Sequence, residues 1–169
     1  MPDPSRDRYF DTVTLSNFVL AQRLDVLIAR YGTRAKVTRE VLDEVSDGLV
    51  AGYTALAELE RAVTSRQLGT AAPLTPDERD LYRQLIRRLA PGEASCIACA
   101  KLRGGIVVTD DRAARQCCAE QGVHFTGTIG ILKACCMDKT LSLPDADTIL
   151  EAMIAAGYHS PVYRISDLL

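Results

Sequence analysis

Five acidic side chains stand next to short apolar runs that the sequence predicts to be β-strands. Asp11 ends a weak first strand, and Asp110 and Asp111 follow the most apolar strand of the chain. Glu44 lies in the helix after the second strand, and Glu93 opens the helix that precedes the most apolar strand. Functional groups in open parallel α/β sheets gather at the carboxyl ends of the strands. These five side chains are therefore the candidates for one common site.

Several carboxylates that point at one place repel each other, and their pKa values rise unless a cation neutralises them. Hard oxygen ligands favour Mg²⁺ or Mn²⁺ over Zn²⁺. A carboxylate-held metal that keeps some of its waters suits the hydrolysis of a phosphodiester bond. The sequence has no Walker A loop, HExxH or GxSxG motif, so it offers no competing site. The fragment GTIG at 127–130 is too short to indicate phosphate binding.

The elements that must position these acids alternate between short apolar runs and longer helical periods, which favours an α/β fold with a parallel sheet. The predicted strands are residues 8–10, 35–37, 106–108 and 123–125. The predicted helices cover about 16–30, 77–89, 93–103, 112–121, 129–137 and 145–156, and another begins after an N-cap at Thr38. One more helix, in the middle of the chain, is indicated by Leu49, Tyr53, Leu56, Leu59 and Val63. On the helix 77–89, Leu81, Leu85, Ile86 and Leu89 are expected to face the core.

The bulk composition is that of a globular protein. The 169 residues are 47% hydrophobic and 25% charged, which suits one domain with a substantial core. The start of the chain does not read as a signal peptide, and no apolar run is long enough for a membrane span, so we expect a soluble, cytoplasmic protein without a membrane partner. The net charge of −2 counts mildly against an RNA partner, although a carboxylate site would itself lower the charge.

Six cysteines occur in the chain, and two of them, Cys96 and Cys99, have CxxC spacing. Their context reads as a helix, in which residues i and i+3 share a face. Reduced, buried apolar thiols are the favoured interpretation, and a metal site is the alternative. We therefore predict that the six cysteines are mostly buried and unbridged.

Four acid-bearing segments, taken in order, resemble the PIN-domain family. The first motif is DTVTLSNF at 11–18, and the second is VTREVLDEV at 37–45, which carries Glu44. The third is GEASCIACA at 92–100 and the fourth is VVTDDRAAR at 107–115. The tail from Gly127 onward is similar to the subgroup of the family with the DDR-x-AR form of the fourth motif. The resemblance covers nearly the whole chain.

The resemblance implies a three-layer α/β/α sandwich with a mostly parallel sheet, formed by a single domain over residues 1–169 with a helical segment at about 46–90. It implies an endoribonuclease that depends on Mg²⁺ or Mn²⁺, with RNA as substrate. Many relatives are toxins of toxin–antitoxin pairs, so a small antitoxin protein and a homodimer are the expected partners. We predict that Asp11, Glu93 and Asp111 converge as metal ligands, with Glu44 and Asp110 completing the catalytic set.

Three questions remain open at this point. Asp110 and Asp111 would face opposite ways if the strand continued through them, and the motif favours Asp111 in the site with Asp110 as a helix cap. Val13 and Ala114 stand where many relatives carry a polar residue and a further acid. The alternative function is therefore a catalytically degraded binding module for a protein or RNA. A receiver-like domain ranks last, because Lys101 and Lys133 do not follow suitable strands.

Overall fold

Five short parallel strands form the centre of the fold. The computed structural model describes residues 4–169. The strands are β1 (Arg8–Phe10), β2 (Ala35–Val37), β3 (Gly69–Thr70), β4 (Ile106–Val108) and β5 (Phe125–Thr126). They pair in the order β3-β2-β1-β4-β5, and every pairing is parallel. All carboxyl ends therefore lie at one edge of the sheet, and the residues that follow β1 and β4 are neighbours there.

Helices surround this sheet in a three-layer α/β/α arrangement, as the sequence predicts. The nine α-helices within residues 4–169 are α1 (Thr12–Leu20), α2 (Leu24–Tyr31), α3 (Arg39–Val50), α4 (Leu56–Thr64), α5 (Pro76–Leu85), α6 (Pro91–Arg103), α7 (Arg112–Gln121), α8 (Thr128–Met137) and α9 (Leu143–Ala155). Helix α6 packs against β1 and β4 and also contacts α3, α5 and α7. None of the helices in this described range combines the length and apolar character needed to cross a lipid bilayer.

Local capping signals set where the helices near the sheet begin. Thr38 caps α3 by accepting a hydrogen bond from the Val41 amide. Thr75 and Glu78 form a reciprocal capping box at the start of α5, with Pro76 at the first helical position. Strand β4 is buried along its whole length, as expected for an apolar strand of a parallel sheet. These boundaries agree with the predicted ones.

Two predicted helices are wrong as single elements. The helix expected at 16–30 begins earlier, at Thr12, and is divided into α1 and α2 at Gln22, whose φ of 57° is left-handed. The middle stretch likewise breaks between α3 and α4, where Gly52 has a φ of 102°. Apolar spacing continues across both breaks, so periodicity alone did not reveal them.

Smaller corrections concern single strands and side chains. The span 46–90 contains β3 as well as helices, and the last strand lies at Phe125–Thr126 rather than 123–125. Leu20, Tyr53 and Ile86, which helical spacing places on buried faces, are exposed. Each lies at or beyond the end of a helix, where the chain turns away from the core.

The prediction for the cysteines is confirmed. All six are free thiols, five of them are buried, and Cys136 is partly exposed. Cys96 is fully buried in α6 and donates its S–H to the backbone oxygen of Phe10 at 3.4 Å. Burial raises the pKa of the Cys99 thiol to about 12, which keeps it protonated and chemically inert.

Candidate active site

Asp11 lies at the carboxyl end of β1 and is 2% exposed. Its Oδ1 atom accepts a hydrogen bond from the Thr14 amide at 2.8 Å, so the side chain caps α1. Its Oδ2 atom accepts a hydrogen bond from the Thr109 hydroxyl at 2.5 Å, across the junction between β1 and β4. Burial raises the pKa of Asp11, and the hydrogen bonds from Thr109 and Thr14 oppose that rise. The Thr109 hydroxyl therefore binds a carboxylate of the candidate site.

Glu44 reaches from α3 towards the starts of α1 and α6. Its Oε1 atom accepts a hydrogen bond from the Thr12 hydroxyl at 3.0 Å. A Cβ atom on Gly92 would lie 1.9 Å from the same oxygen, so only glycine permits this close approach. Burial is the main cause of a raised pKa for Glu44, and the charge of Asp11 adds to it. Glu44 is thus held beside Asp11 rather than in solvent.

Glu93 sits in the first turn of α6, and its Oε2 atom accepts a hydrogen bond from the Ala90 amide at 3.3 Å. The pKa of Glu93 is raised to about 7, first by burial and second by the charge of Asp111. Asp11 and Glu44 also raise it. The charges of Asp111, Asp11 and Glu44 therefore all act on Glu93 at the carboxyl edge of the sheet.

We expect the variant Glu93→Gln to be more stable than the parent at high pH in the presence of a chelator. The folded pKa of Glu93 lies above the ordinary value of 4.5, so the parent loses stability as pH rises from about 4.5 to 7. The glutamine variant carries no charge and does not lose this stability. With allowance for partial solvent exposure, its advantage above pH 7 should be on the order of 1–2 kcal/mol.

Urea unfolding at pH 4.5 and pH 8 measures this difference. Glu58→Gln is the matched control, because Glu58 is an exposed glutamate in the first turn of α4. The control should gain no comparable stability between the two pH values. A constant offset between Glu93→Gln and the parent at both pH values would contradict the raised pKa.

The adjacent acids Asp110 and Asp111 have separate roles. Asp111 caps α7 by accepting a hydrogen bond from the Ala114 amide at 2.8 Å, so the prediction that Asp110 makes this cap is wrong. Asp110 instead accepts hydrogen bonds from the amide and the hydroxyl of Thr128, at the start of α8, and from Asn17. Arg115 lies 3.6 Å from the Asp110 carboxylate. Asp110 therefore contacts side chains of three helices, α1, α7 and α8.

Substitution of the two aspartates by alanine should separate their roles. Asp110→Ala leaves the amide and the hydroxyl of Thr128 without their acceptor and removes one of the two acceptors of Asn17, which should cost about 2–4 kcal/mol. Asp111→Ala removes one helix cap and should cost about 1 kcal/mol. Denaturant unfolding gives both values. Equal losses would mean that the network around Asp110 contributes little to the fold.

The donor chemistry of these acids fits a hard divalent cation, because carboxylate oxygens are what Mg²⁺ and Mn²⁺ prefer. Burial and the nearby charges of Asp111, Asp11 and Glu44 raise the pKa of Glu93, and a bound cation would oppose that rise. Within residues 4–169, however, no three acid, histidine or cysteine side chains are grouped as a metal site. Asp11, Glu93 and Asp111 each accept a backbone amide at the start of a helix. Their coordination of one metal stays a prediction.

Three polar side chains around the acids were not found from the sequence. Asn17 is 6% exposed and donates to Thr128 as well as to Asp110, while Arg115 donates to the backbone oxygen of Thr109 at 2.9 Å. One signal was available for Asn17, since it shares the spacing of the buried residues of α1. A polar residue on a buried face needs a partner. Thr128 belongs to the fragment GTIG, which carries no recognisable motif.

Comparison with known protein families gives a match over most of the chain. A family model described as a PIN domain matches residues 8–169, which is nearly the entire chain. No curated protein matches it. PIN domains have a nuclease-type fold, and the match spans β1 to the last residue, including all five candidate acids. The chain therefore belongs to the PIN-domain family.

Proposed function

We propose that the protein is an endoribonuclease that hydrolyses RNA phosphodiester bonds with Mg²⁺ or Mn²⁺. The observation that carries this proposal is the PIN-domain match over residues 8–169, together with the position of Asp11 and Asp111 after the adjacent parallel strands β1 and β4. The raised pKa of Glu93 is consistent with it, since burial is its main cause and the charges of Asp111, Asp11 and Glu44 add to it. Carboxylates that disfavour each other's ionisation gain most from a bound cation. Strongly perturbed groups of this kind are also typical of catalytic sites.

Asp11, Glu93 and Asp111 are the residues that would hold the cation. A bound metal would supply an activated water and would neutralise charge on the phosphate. The hydrogen bonds from Thr109 and Thr14 favour the ionised form of Asp11, which a ligand must adopt. Glu93 must also be ionised to bind the cation, and the positive charge of the cation would lower its raised pKa. Thr12 and Gly92 hold the Glu44 carboxylate towards the same edge.

The direct test is cleavage of a labelled RNA of mixed sequence by the purified parent protein. Cleavage should require Mg²⁺ or Mn²⁺ and should stop in excess chelator. The same metal should raise the melting temperature of the parent, because a ligand that binds only the folded state stabilises it. Neither cleavage nor stabilisation by metal would overturn the nuclease proposal.

The biological role that we propose is that of a cytoplasmic toxin in a toxin–antitoxin pair. The resemblance of the tail to the DDR-x-AR subgroup supports it, and a small antitoxin protein and a homodimeric state accompany it. A neighbouring short reading frame with a DNA-binding motif, whose product forms a complex with this chain and blocks cleavage, is the expected finding. A neighbouring product that neither binds nor inhibits would contradict the role.

The second candidate is a binding module that has kept the fold and lost the activity. The observation that favours it is the burial of Ala114, which is 0% exposed in the turn capped by Asp111, where many relatives have a further acid. The absence of a three-ligand group in residues 4–169 points the same way. RNA binding without cleavage, and without stabilisation by metal, would decide for this alternative.

A further inference from the structure

A groove of about 700 Å³ opens beside the carboxyl ends of β4 and β5. We call it the β5 groove. Its walls are the turn after β4, the segment from β5 into α8, and the residues that follow α9. Five side chains that line it are Arg112, Arg115, Phe125, Tyr158 and His159. The acid-site proposal does not use any of these five. The groove therefore adjoins the acid site through Asp110, and the role of its other side chains is not explained by that site.

The charged residues of the β5 groove are mainly basic. Arg112, Arg115 and His159 line it, and Asp110 is its one acid within the described residues. The Asp110 carboxylate is already bound by Thr128 and lies 3.6 Å from Arg115. The two arginines outnumber the one acid of the groove, and in a chain with a net charge of −2 this local positive charge favours an anionic ligand.

An aromatic face adds a second binding element. The Phe125 side chain is 40% exposed, although a large hydrophobic residue usually finds cover in a core. The Arg115 guanidinium lies 5.5 Å from the centre of its ring. Arginine and aromatic planes placed together are what proteins use to stack unpaired bases.

Arg115 is held in this position by its surroundings. Its Nε atom donates to the backbone oxygen of Thr109 at 2.9 Å. A Cβ atom on Gly127 would lie 2.1 Å from its Nη2 atom and 2.3 Å from Oδ1 of Asp110, so the glycine makes room for the pair. A guanidinium fixed at a strand end is pre-organised to receive a phosphate or a base.

The β5 groove is continuous with the acid site. Thr109 joins the two, because its hydroxyl donates to Asp11 while its backbone oxygen accepts from Arg115. Asp110 lines the groove and directly precedes Asp111, which belongs to the acid site. A strand whose reacting phosphate lies at the acids would therefore run its next nucleotide into the groove.

From these observations we infer that the β5 groove binds one nucleotide of single-stranded RNA next to the cleaved phosphate. The base stacks on Phe125 and Arg115, and Arg112 and His159 face the phosphate. The strand must be unpaired, because a base in a duplex has no free face for Phe125. This inference rests on the proposed function for its substrate class and adds where that substrate lies.

Binding can be measured without cleavage, by fluorescence anisotropy with a labelled, 2′-O-methylated, mixed-sequence RNA in chelator. Phe125→Leu removes the ring and should weaken binding about 5- to 100-fold, with the salt dependence unchanged. Arg112→Gln should weaken binding and reduce the slope of log affinity against log salt by about 0.7 for each phosphate that the arginine neutralises. The two variants thus report separately on stacking and on charge.

Two controls make the same chemical changes elsewhere. Arg87→Gln removes an exposed arginine beyond α5, and Tyr53→Leu removes an exposed aromatic ring between α3 and α4. Both should bind RNA with the affinity and salt slope of the parent. Thermal melts of all four variants establish that they are folded.

The outcomes separate this inference from the nuclease proposal. If Phe125→Leu and Arg112→Gln bind like the two controls while the parent cuts RNA with metal, the β5 groove is not the nucleotide site and the nuclease proposal stands. If the groove variants lose binding but the parent never cuts RNA, the β5 groove is an RNA-binding surface and the nuclease proposal fails. A parent that binds no RNA under any condition overturns both.

Discussion

Asp11→Asn should abolish metal-dependent RNA cleavage and leave the fold intact. Asparagine keeps the size of the side chain and one carbonyl oxygen, but it removes the charge that would hold a divalent cation. Loss of a metal-binding carboxylate should reduce the cleavage rate by at least about 100-fold. The stabilisation that added Mn²⁺ gives the parent should shrink as well.

The hydrogen bonds of Asp11 determine what the same substitution should do to stability in chelator. The retained oxygen can still accept the Thr14 amide, and the Thr109 hydroxyl can turn to accept from the new amide group. The pKa of Asp11 is raised mainly by burial, so its charge costs free energy in the folded state. The metal-free variant should therefore be as stable as the parent, or more stable by on the order of 1 kcal/mol.

Paired thermal melts, in chelator and in Mn²⁺, beside a cleavage assay, measure these effects. Asp11→Ala is the control, because it removes the cap and the acceptor of Thr109 and should be less stable than the parent in both conditions. An asparagine variant that melts far below the parent in chelator would show that Asp11 is structural. A variant that still cuts RNA at the parent rate would remove Asp11 from the mechanism.

Arg103→Met should cause the largest loss of stability among surface-accessible positions of α6, about 3–5 kcal/mol. Arg103 pairs with Glu78, which is 0% exposed, through two contacts of 2.7 Å. It also donates to the backbone oxygens of Ala72 and Pro73. Removal of the guanidinium leaves a buried carboxylate without its counter-ion, and the lowered pKa of Glu78 should return upward.

Urea unfolding gives the loss, and two further variants explain it. In Arg103→Met/Glu78→Gln the buried charge is gone while the capping contact to Thr75 can persist, so part of the lost stability should return. Arg88→Met breaks an exposed pair with Glu120 and should cost only a small fraction of the loss at Arg103. A double variant no more stable than Arg103→Met would show that the charge of Glu78 is not the cause.

The interaction of Arg103 with Glu78 also bears on the site. It joins α5 to the carboxyl end of α6, whose first turn carries Glu93. Because α6 packs on β1 and β4, a helix that shifts would move Glu93 relative to Asp11 and Asp111. If Arg103→Met only destabilises the fold, its cleavage activity should fall in proportion to the unfolded fraction. A larger fall in activity would indicate that α6 has moved.

Much of the fold could be predicted because its signals are local. Thr38 and Thr75 indicate helix starts, and the apolar run at β4 indicates a buried strand. The divisions at Gln22 and Gly52 could not be predicted, because apolar residues resume at helical spacing beyond each break. Strand β3 has only two residues, and pairing with β2 rather than its own composition makes it a strand.

The site shows the same division between local and distant signals. Asp11 was found because it follows a strand and precedes a helix, and both facts lie within a few residues. The roles of Asp110 and Asp111 depend on which way the chain turns after β4, which no neighbouring residue indicates. Asn17 and Thr128 are 111 residues apart, and only the tertiary fold brings their side chains into hydrogen-bond contact. Motif spacing cannot reveal contacts of that range.

The buried thiols affect whether thermal unfolding of this protein is reversible. While the chain is folded, the five enclosed sulfurs are protonated or shielded and have little reactivity. Unfolding would release two vicinal pairs, Cys117–Cys118 and Cys135–Cys136, together with Cys96 and Cys99. In an oxidising buffer the released thiols can cross-link before the chain refolds, which makes unfolding a one-way event. Without reductant, the heat resistance of the protein would then depend on how fast it unfolds and not on its equilibrium free energy of unfolding.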